Sequence, residues 1–399
     1  MTIRYLHVIR SIDPRSGGPR EAVKQLTAVA SKLHQHVEIV VTEYPDPSWI
    51  GEYACPVHCL GPSYLKYGYA PELFRWLRNN ASRFNAVVVN GIWQHHSLCT
   101  RRALRGSGVP YYVFTHGMLD PWFKRQYPFK HLKKLLYWPW GEYRVLRDAR
   151  AVLFTSEEER RLARESFSLY RANEWVVNYG VPEPAGDPVL QRELFLRQFP
   201  RLRGKRFLLF LGRIHPKKGC DLLIEALAAV RRLDPALQLV IAGPDQAGLQ
   251  RGLTRLAERL GVAGAITWTG MIRDDTKIGA LRAAEAFVLP SHQENFGIAV
   301  AESLACGTPV LISNKVNIWR EVVEDGAGLA ADDTLSGTIE MLQTWAGLGP
   351  EERHHMALKA FDSFATRFNV EAAAESLLDA LEHHAEPRRR APPRRTSVA

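Results

Sequence analysis

Short runs of valine, isoleucine, leucine and phenylalanine recur along the chain, separated by longer stretches in which apolar residues return every three or four positions. In the first half the runs fall at 3–9, 36–42, 85–90, 110–115, 150–154 and 174–178. In the second half they fall at 206–212, 237–242, 265–269, 286–290 and 308–312. A continuous apolar run between helix-period segments predicts a parallel strand buried on both faces. The pattern runs twice, which predicts an α/β protein of two doubly wound, Rossmann-like domains facing a central cleft.

The expected division is an N-terminal domain over 1–182, a linker over 183–200, a C-terminal domain over 201–366, a helix over 367–385 and a basic tail over 386–399. Pro182, Pro184, Pro188 and Pro200 mark the linker, although 188–198 suits a short helix. A length of 399 residues fits two cores better than one. No window approaches the roughly 18 apolar residues of a spanning helix, and the N-terminus reads as a first strand rather than a signal peptide. The cysteines, Cys55, Cys59, Cys99, Cys220 and Cys306, are odd in number and read as reduced thiols of a cytoplasmic protein. The net charge of +10 suits an anionic partner, but part of it sits in the Arg- and Pro-rich tail, which predicts disorder there.

In doubly wound sheets, ligands bind at the carboxyl ends of the strands. The strand at 206–212 runs into Gly212, Arg213, Ile214, His215, Pro216, Lys217, Lys218 and Gly219. Arg213 and Lys218 are two cations suited to a diphosphate, unless the loop is simply a solvated basic turn. The strand at 286–290 runs into Ser291, His292, Gln293, Glu294, Asn295, Phe296 and Gly297, and a helix from Ile298 to Cys306 follows. Its first amides, at Phe296, Gly297 and Ile298, form a ready anion site. Glu294 precedes this helix and Glu302 lies within it, so the pair spans a length suited to the sugar–diphosphate–ribose layout of a nucleotide sugar.

At the other rim, Gly17 and Gly18 precede a helix and offer amides to an anion, and His116 and Asp120 follow the strand at 110–115. A histidine there is either a satisfied structural residue or part of a site. No G-x-G-x-x-G fingerprint is present, which argues against a nicotinamide enzyme. Between 121 and 141, Lys124, Arg125, Lys130, Lys133 and Lys134 alternate with Trp122, Tyr127, Phe129, Trp138 and Trp140, with no acid among them. That segment is either an amphipathic helix packed on its own domain or a surface for anionic lipid. Ser156 and Glu159 read as a helix capping box with no further role.

Gly212-Arg213 with Lys218-Gly219, Pro290-Ser291 with Glu294-Asn295-Phe296-Gly297 and Glu302, and Ala305-Cys306-Gly307-Thr308-Pro309-Val310 together resemble the family-4 retaining glycosyltransferases of the GT-B fold. The resemblance covers the C-terminal domain well and the N-terminal domain more loosely. It implies a retaining transfer of a hexose-type sugar from a nucleoside diphosphate to a glycan or lipid-linked acceptor, in polysaccharide or lipopolysaccharide biosynthesis. It implies that Arg213 and Lys218 bind the diphosphate, Glu294 the transferred sugar and Glu302 the ribose, with His116 near the sugar and Gly17-Gly18 beside the phosphates. It also implies no metal or other cofactor, no nucleic-acid partner, and a C-terminal helix that returns to brace the first domain. The expected place is the cytoplasm, with the inner face of the membrane as a peripheral site. Two departures stand out: Asn295 replaces a common glycine, and Tyr179 is inserted into an Asn-Gly-Val turn as Asn178-Tyr179-Gly180-Val181. Rival readings are a sugar-nucleotide 2-epimerase on a similar frame and a polyanion-binding protein.

Overall fold

A computed structural model describes residues 2–383; the tail assigned to 386–399 lies outside the described residues. The strands are β1 (Arg4–Ile9), β2 (His36–Val41), β3 (Val57–Cys59), β4 (Ala86–Asn90), β5 (Tyr111–Phe114), β6 (Ala151–Phe154) and β7 (Glu174–Val176) in the first half. The second half holds β8 (Phe207–Leu211), β9 (Gln238–Ala242), β10 (Ile266–Gly270), β11 (Ala286–Leu289), β12 (Val310–Ser313) and β13 (Gly328–Ala331). They form two sheets, in the orders β3-β2-β1-β4-β5-β6-β7 and β10-β9-β8-β11-β12-β13, and the paired strands run parallel. Val87, Val88 and Val89 of β4 are fully buried, and so are Phe287 and Val288 of β11. Helices therefore cover both faces, as the uninterrupted apolar runs predict.

The strand order reverses between β1 and β4 in one sheet and between β8 and β11 in the other. At each reversal the flanking loops part and leave a crevice at the strand ends. The strand ends and loops at these two points hold the Gly17-Gly18 turn, Asn90, the Arg213–Gly219 stretch and Glu294.

Two strands escape the sequence reading: β3 and β13. Both are short edge strands with few large β-branched residues, so their pattern is weak. Gly328 of β13 is required by close approach, since a Cβ there would stand 2.0 Å from the Val310 carbonyl oxygen.

The stretch 183–200 is a structural part of the second half rather than a free linker. Asp187 caps the helix Pro188–Gln198, accepting from the amides of Val189 at 2.7 Å and Leu190 at 3.1 Å. Phe195, fully buried, joins the second core. The helix lies tightly on the helix Asp274–Ala283, where a Cβ on Gly279 would come within 2.0 Å of the Gln191 carbonyl.

Two chain crossings join the halves. Val181 and Asn369 form a parallel bridge, with the Val181 amide donating to the Phe368 carbonyl at 2.8 Å and the Val370 amide to the Val181 carbonyl at 3.1 Å. The helix Val370–His383 then lays Val370, Ala373, Leu377 and Leu381 against Tyr5, Val88 and Tyr112 of the first sheet. Tyr112 donates its hydroxyl to the Leu381 carbonyl at 3.1 Å.

Candidate active site

The basic and acidic loops of the second sheet are built against each other. Gly219 has φ 66° and ends a short turn at Pro216–Lys218; a Cβ there would lie 2.3 Å from the Pro290 carbonyl oxygen. The His292 amide donates to the Lys217 carbonyl at 2.8 Å. Glu294 is fixed through its backbone, its amide donating to the Lys315 carbonyl at 2.9 Å and its carbonyl accepting from the Asn317 amide at 3.1 Å. Gly297, with φ 79°, opens the helix Ile298–Ala305. This left-handed conformation suits glycine far better than a residue with a Cβ.

This packing pairs the Lys218 ammonium with the Glu294 carboxylate. Burial alone would raise the Glu294 carboxyl, but Lys218, Lys217 and Arg213 outweigh it and hold the group below its usual range. Arg213 is more exposed and donates to Gln246 at 3.4 Å, on the loop after β9. Glu302 accepts from Lys277 at 2.6 Å.

The opposite rim is neutral. His116 has φ 48°, stacks on Phe114 at 5.3 Å and sets its Nε2 3.2 Å from Asn90 Oδ1. The Asn90 amide nitrogen faces His7 Nδ1 at 3.0 Å and the Val88 carbonyl at 3.2 Å. That orientation assigns the His116 proton to Nε2 and leaves Nδ1 as an acceptor. Burial pushes both imidazoles down to about 3, so His116 is uncharged at neutral pH. It offers a hydrogen bond rather than a charge.

A cavity of about 280 Å3 lies between the rims. Gly18, His116, Arg213, Lys218, Glu294, Asn295, Phe296, Gly297 and Ile298 line it together. Gly17 stands next to it as the N-cap of the helix Gly18–Ala30. Glu302 does not line this cavity; it sits further along its helix, held by Lys277. Among the described residues, no group of three or more histidine, cysteine or acidic side chains is placed to hold a metal ion.

Several residues enter that the sequence reading does not single out. Lys277 fixes Glu302, and Lys217 lies 5.8 Å over the Trp122 ring, facing Glu294 and Asp120. Glu159 corrects the capping-box reading. Ser156 caps the helix by accepting from the Glu159 amide at 3.1 Å, but the Glu159 carboxylate turns away. It accepts from Thr115 Oγ1 and the Gly117 amide at 2.6 Å each, and from the Thr155 amide and hydroxyl at 2.8 Å each. The helix starts directly at the end of β6, so its first turn faces the neighbouring loop after β5. The inserted Tyr179 sits edge-on to Phe296 at 4.6 Å and donates to the Gly18 carbonyl at 3.4 Å, tying the glycine turn to the start of the helix at 298. Asn295 uses its side chain on Asn317, Thr155 and Glu159, so a donor would meet its backbone.

Two family models match the chain: "Glycosyl transferase 4-like domain" over residues 17–180 and "Glycosyl transferases group 1" over 191–362. The chain belongs to the group 1 glycosyltransferases. A D-inositol 3-phosphate glycosyltransferase of Thermomonospora curvata is 37% identical over 258 residues, covering 60% of this chain and 58% of that protein. Its counterpart in Segniliparus rotundus is 35% identical over 181 residues, or 42% of this chain and 38% of that one. The matches thus span less than two thirds of these curated relatives. Among solved structures, the sucrose-phosphate synthase of Thermosynechococcus elongatus superimposes with a TM-score of 0.73 at 18% identity, covering 95% of this chain and 98% of its own. Anabaena HepE in complex with UDP-glucose gives 0.73 at 17% identity, over 96% and 100%. At such identities the likeness establishes the shared two-domain GT-B fold.

Proposed function

We propose that this group 1 glycosyltransferase moves a sugar from a nucleoside diphosphate to a glycan or lipid-linked acceptor, with retention at the anomeric carbon and without a metal. One observation carries the reading. At the facing switch points of two sheets, a helix N-terminus, Arg213 and the Lys218–Glu294 pair converge on one cavity with a neutral histidine opposite. Arg213, Lys218 and the free amides near 297 would neutralise the leaving diphosphate. Glu294 would hold sugar hydroxyls, and His116 would accept a hydrogen bond from a hydroxyl at Nδ1. Glu302 would reach the ribose with the oxygen that Lys277 leaves free. Anabaena HepE was solved with UDP and with UDP-glucose, which makes a uridine donor the first to try.

The surface at 121–141 supports a lipid-linked acceptor at an anionic membrane face. The helix Pro128–Tyr137 buries none of its residues. Its inner face carries Lys134, 4.5 Å over the Trp93 ring, and Tyr137, whose hydroxyl lies 2.9 Å from that of Tyr67. Its outer face carries Phe129, 85% exposed, and Leu136, 73% exposed, with Leu132 also open, as is Trp140 just past the helix end. Apolar outward and polar inward is the reverse of a surface helix in water, and Lys124, Arg125, Lys130 and Lys133 surround it. Among the described residues, no helix is long and apolar enough to cross a membrane, so the contact would be peripheral.

Calorimetric titration with UDP, GDP and ADP tests the donor reading. One of them should bind, and Arg213→Ala should weaken it clearly. A wild-type protein that binds none of the three would end the proposal.

A further inference from the structure

Glu294 is flanked by two side chains that leave its own loop. Gln293, 3% exposed, donates from Nε2 to Asp120 Oδ2 at 2.9 Å. Asn295 donates from Nδ2 to Thr155 Oγ1 at 3.1 Å and toward Glu159 Oε2 at 3.4 Å. Both bonds cross from the second half of the molecule to the first, and both end on structures that hold the 115–120 loop. Asp120 closes that loop, accepting from the Trp122 amide at 2.8 Å. Glu159 holds its start through Thr115 and Gly117. The approach is close enough that a Cβ on Gly117 would stand 2.7 Å from the Asn295 amide group. His116 lies between the two anchor points.

We propose that Gln293 and Asn295 are positioning residues: they dock the Glu294 loop onto the His116 loop across the cleft, so that the carboxylate and the imidazole face one sugar in fixed register. The inference rests on the donor-site reading for its functional meaning, though the docking itself does not. Each half has largely its own core, and the Val181–Asn369 bridge, the Tyr179–Phe296 contact and the Arg320–Glu158 ion pair also join them. Partly buried side-chain hydrogen bonds across that contact supply direction, which apolar packing alone does not. Asn295 also suits the place chemically. It must donate to a hydroxyl and a carboxylate while accepting from Asn317, which an amide can do and a carboxylate cannot.

The test has two arms on the full chain. In the first, amide exchange of the 115–120 segment is measured without ligand in the wild type, Asn295→Gly, Asn295→Asp and Gln293→Ala. Exchange there should rise about tenfold in Asn295→Gly and Gln293→Ala while the β8–β12 core keeps its protection. Asn295→Asp, nearly isosteric, should be looser still, because it sets a second carboxylate against Glu159. Exchange within twofold of wild type, or an aspartate tolerated as well as asparagine, would overturn the docking role. In the second arm, calorimetry with UDP and UDP-glucose compares how much the glucosyl group adds to affinity. That increment should fall about tenfold in Asn295→Gly, and an unchanged increment would overturn the claim that the bridge sets the sugar's register. A wild type that binds neither probe counts against a uridine donor and removes the sugar register from the claim, while the exchange arm still decides the docking.

Discussion

The two rims of the cleft solve the same problem with different chemistry. The rim of the second sheet is ionic: Lys218 pairs with Glu294, Lys277 with Glu302, and Arg213 stands more exposed beside them. The rim of the first sheet is neutral: His116, Asn90 and His7 share a chain of hydrogen bonds. Beneath it Glu159 draws on hydroxyl and amide donors, with no cation pairing it among the described residues. A diphosphate needs counter-charge, which works at a distance and tolerates small errors of placement. A sugar hydroxyl needs direction, which only short, fixed hydrogen bonds give. Under the proposed function, the second rim would set how tightly a donor is held and the first how it is oriented.

The sharpest way to break that division is to discharge the ionic rim. Lys218→Ala removes the cation nearest Glu294 and leaves that carboxylate to the more distant Lys217 and Arg213. Sugar transfer should fall by about 10²–10³-fold, the range seen when one preorganised stabilising group is deleted. Steady-state assay of transfer checks it. A loss below about tenfold would mean that the helix end and Arg213 carry the leaving group without Lys218.

The neutral rim should break through stability instead. Glu159→Ala strips the partner from Thr115, Gly117 and Thr155, all in a buried setting. Unsatisfied buried groups cost about 1–3 kcal/mol each before relaxation, so urea unfolding should show a loss of roughly 3 kcal/mol. Glu159→Gln should lose less, since it keeps one acceptor oxygen. If both variants unfold like wild type, the carboxylate is not the support that the geometry gives it.

These two residues also mark what a sequence can show. Glu294, Glu302, Arg213 and Lys218 are legible because each sits at a fixed spacing beside a strand end or a helix start. The interior strands are legible because two buried faces force an unbroken apolar run, as in Val87–Val89. The edge strands β3 and β13 carry no such run. Glu159 is visible only as a capping residue, because besides Thr155 its partners lie 42 to 44 positions away, at Gly117 and Thr115. The reach of Gln293 to Asp120 spans 173 positions and has no local signature at all. The helix at 188–198 is readable, yet only the packing of Phe195 and Gln191 shows that it belongs to the second half.

Acidification separates the rims without mutation. Burial depresses His7 to about 3 and His96 to about 4, against about 6.5 in an unfolded chain. Their neutral folded forms therefore stabilise fully above the unfolded value. That stability is lost as pH falls from about 6.5 toward the folded values, because only the unfolded state takes up protons there. Each histidine adds a slope of about 1.4 kcal/mol per pH unit in that window. Glu294 loses its contribution in the same direction but at lower pH: its lowered pKa keeps that contribution whole above the usual carboxylate value, and it is lost as pH falls from there toward the folded value. Denaturant midpoints between pH 5 and 6.5 should fall steeply for the wild type and less steeply for His96→Gln. Equal slopes would show that His96 is protonated in the folded protein.

The smallest effect tests whether charge matters outside the cleft as it does within it. Lys133 lies exposed beside Leu132 and Leu136 on the outward face of the helix Pro128–Tyr137. A cation near an anionic bilayer contributes about 1 kcal/mol, so Lys133→Ala should weaken binding to phosphatidylserine-containing vesicles about fivefold. Binding to uncharged vesicles should not change. Leu136→Ser should weaken binding to both kinds, since burial of an apolar side chain does not depend on lipid charge. Co-sedimentation across the two vesicle types separates the terms. If Lys133→Ala lost equally on both, its stem rather than its charge would be the contact, and the cationic ring around the leucines would have no bearing on which membrane the chain meets.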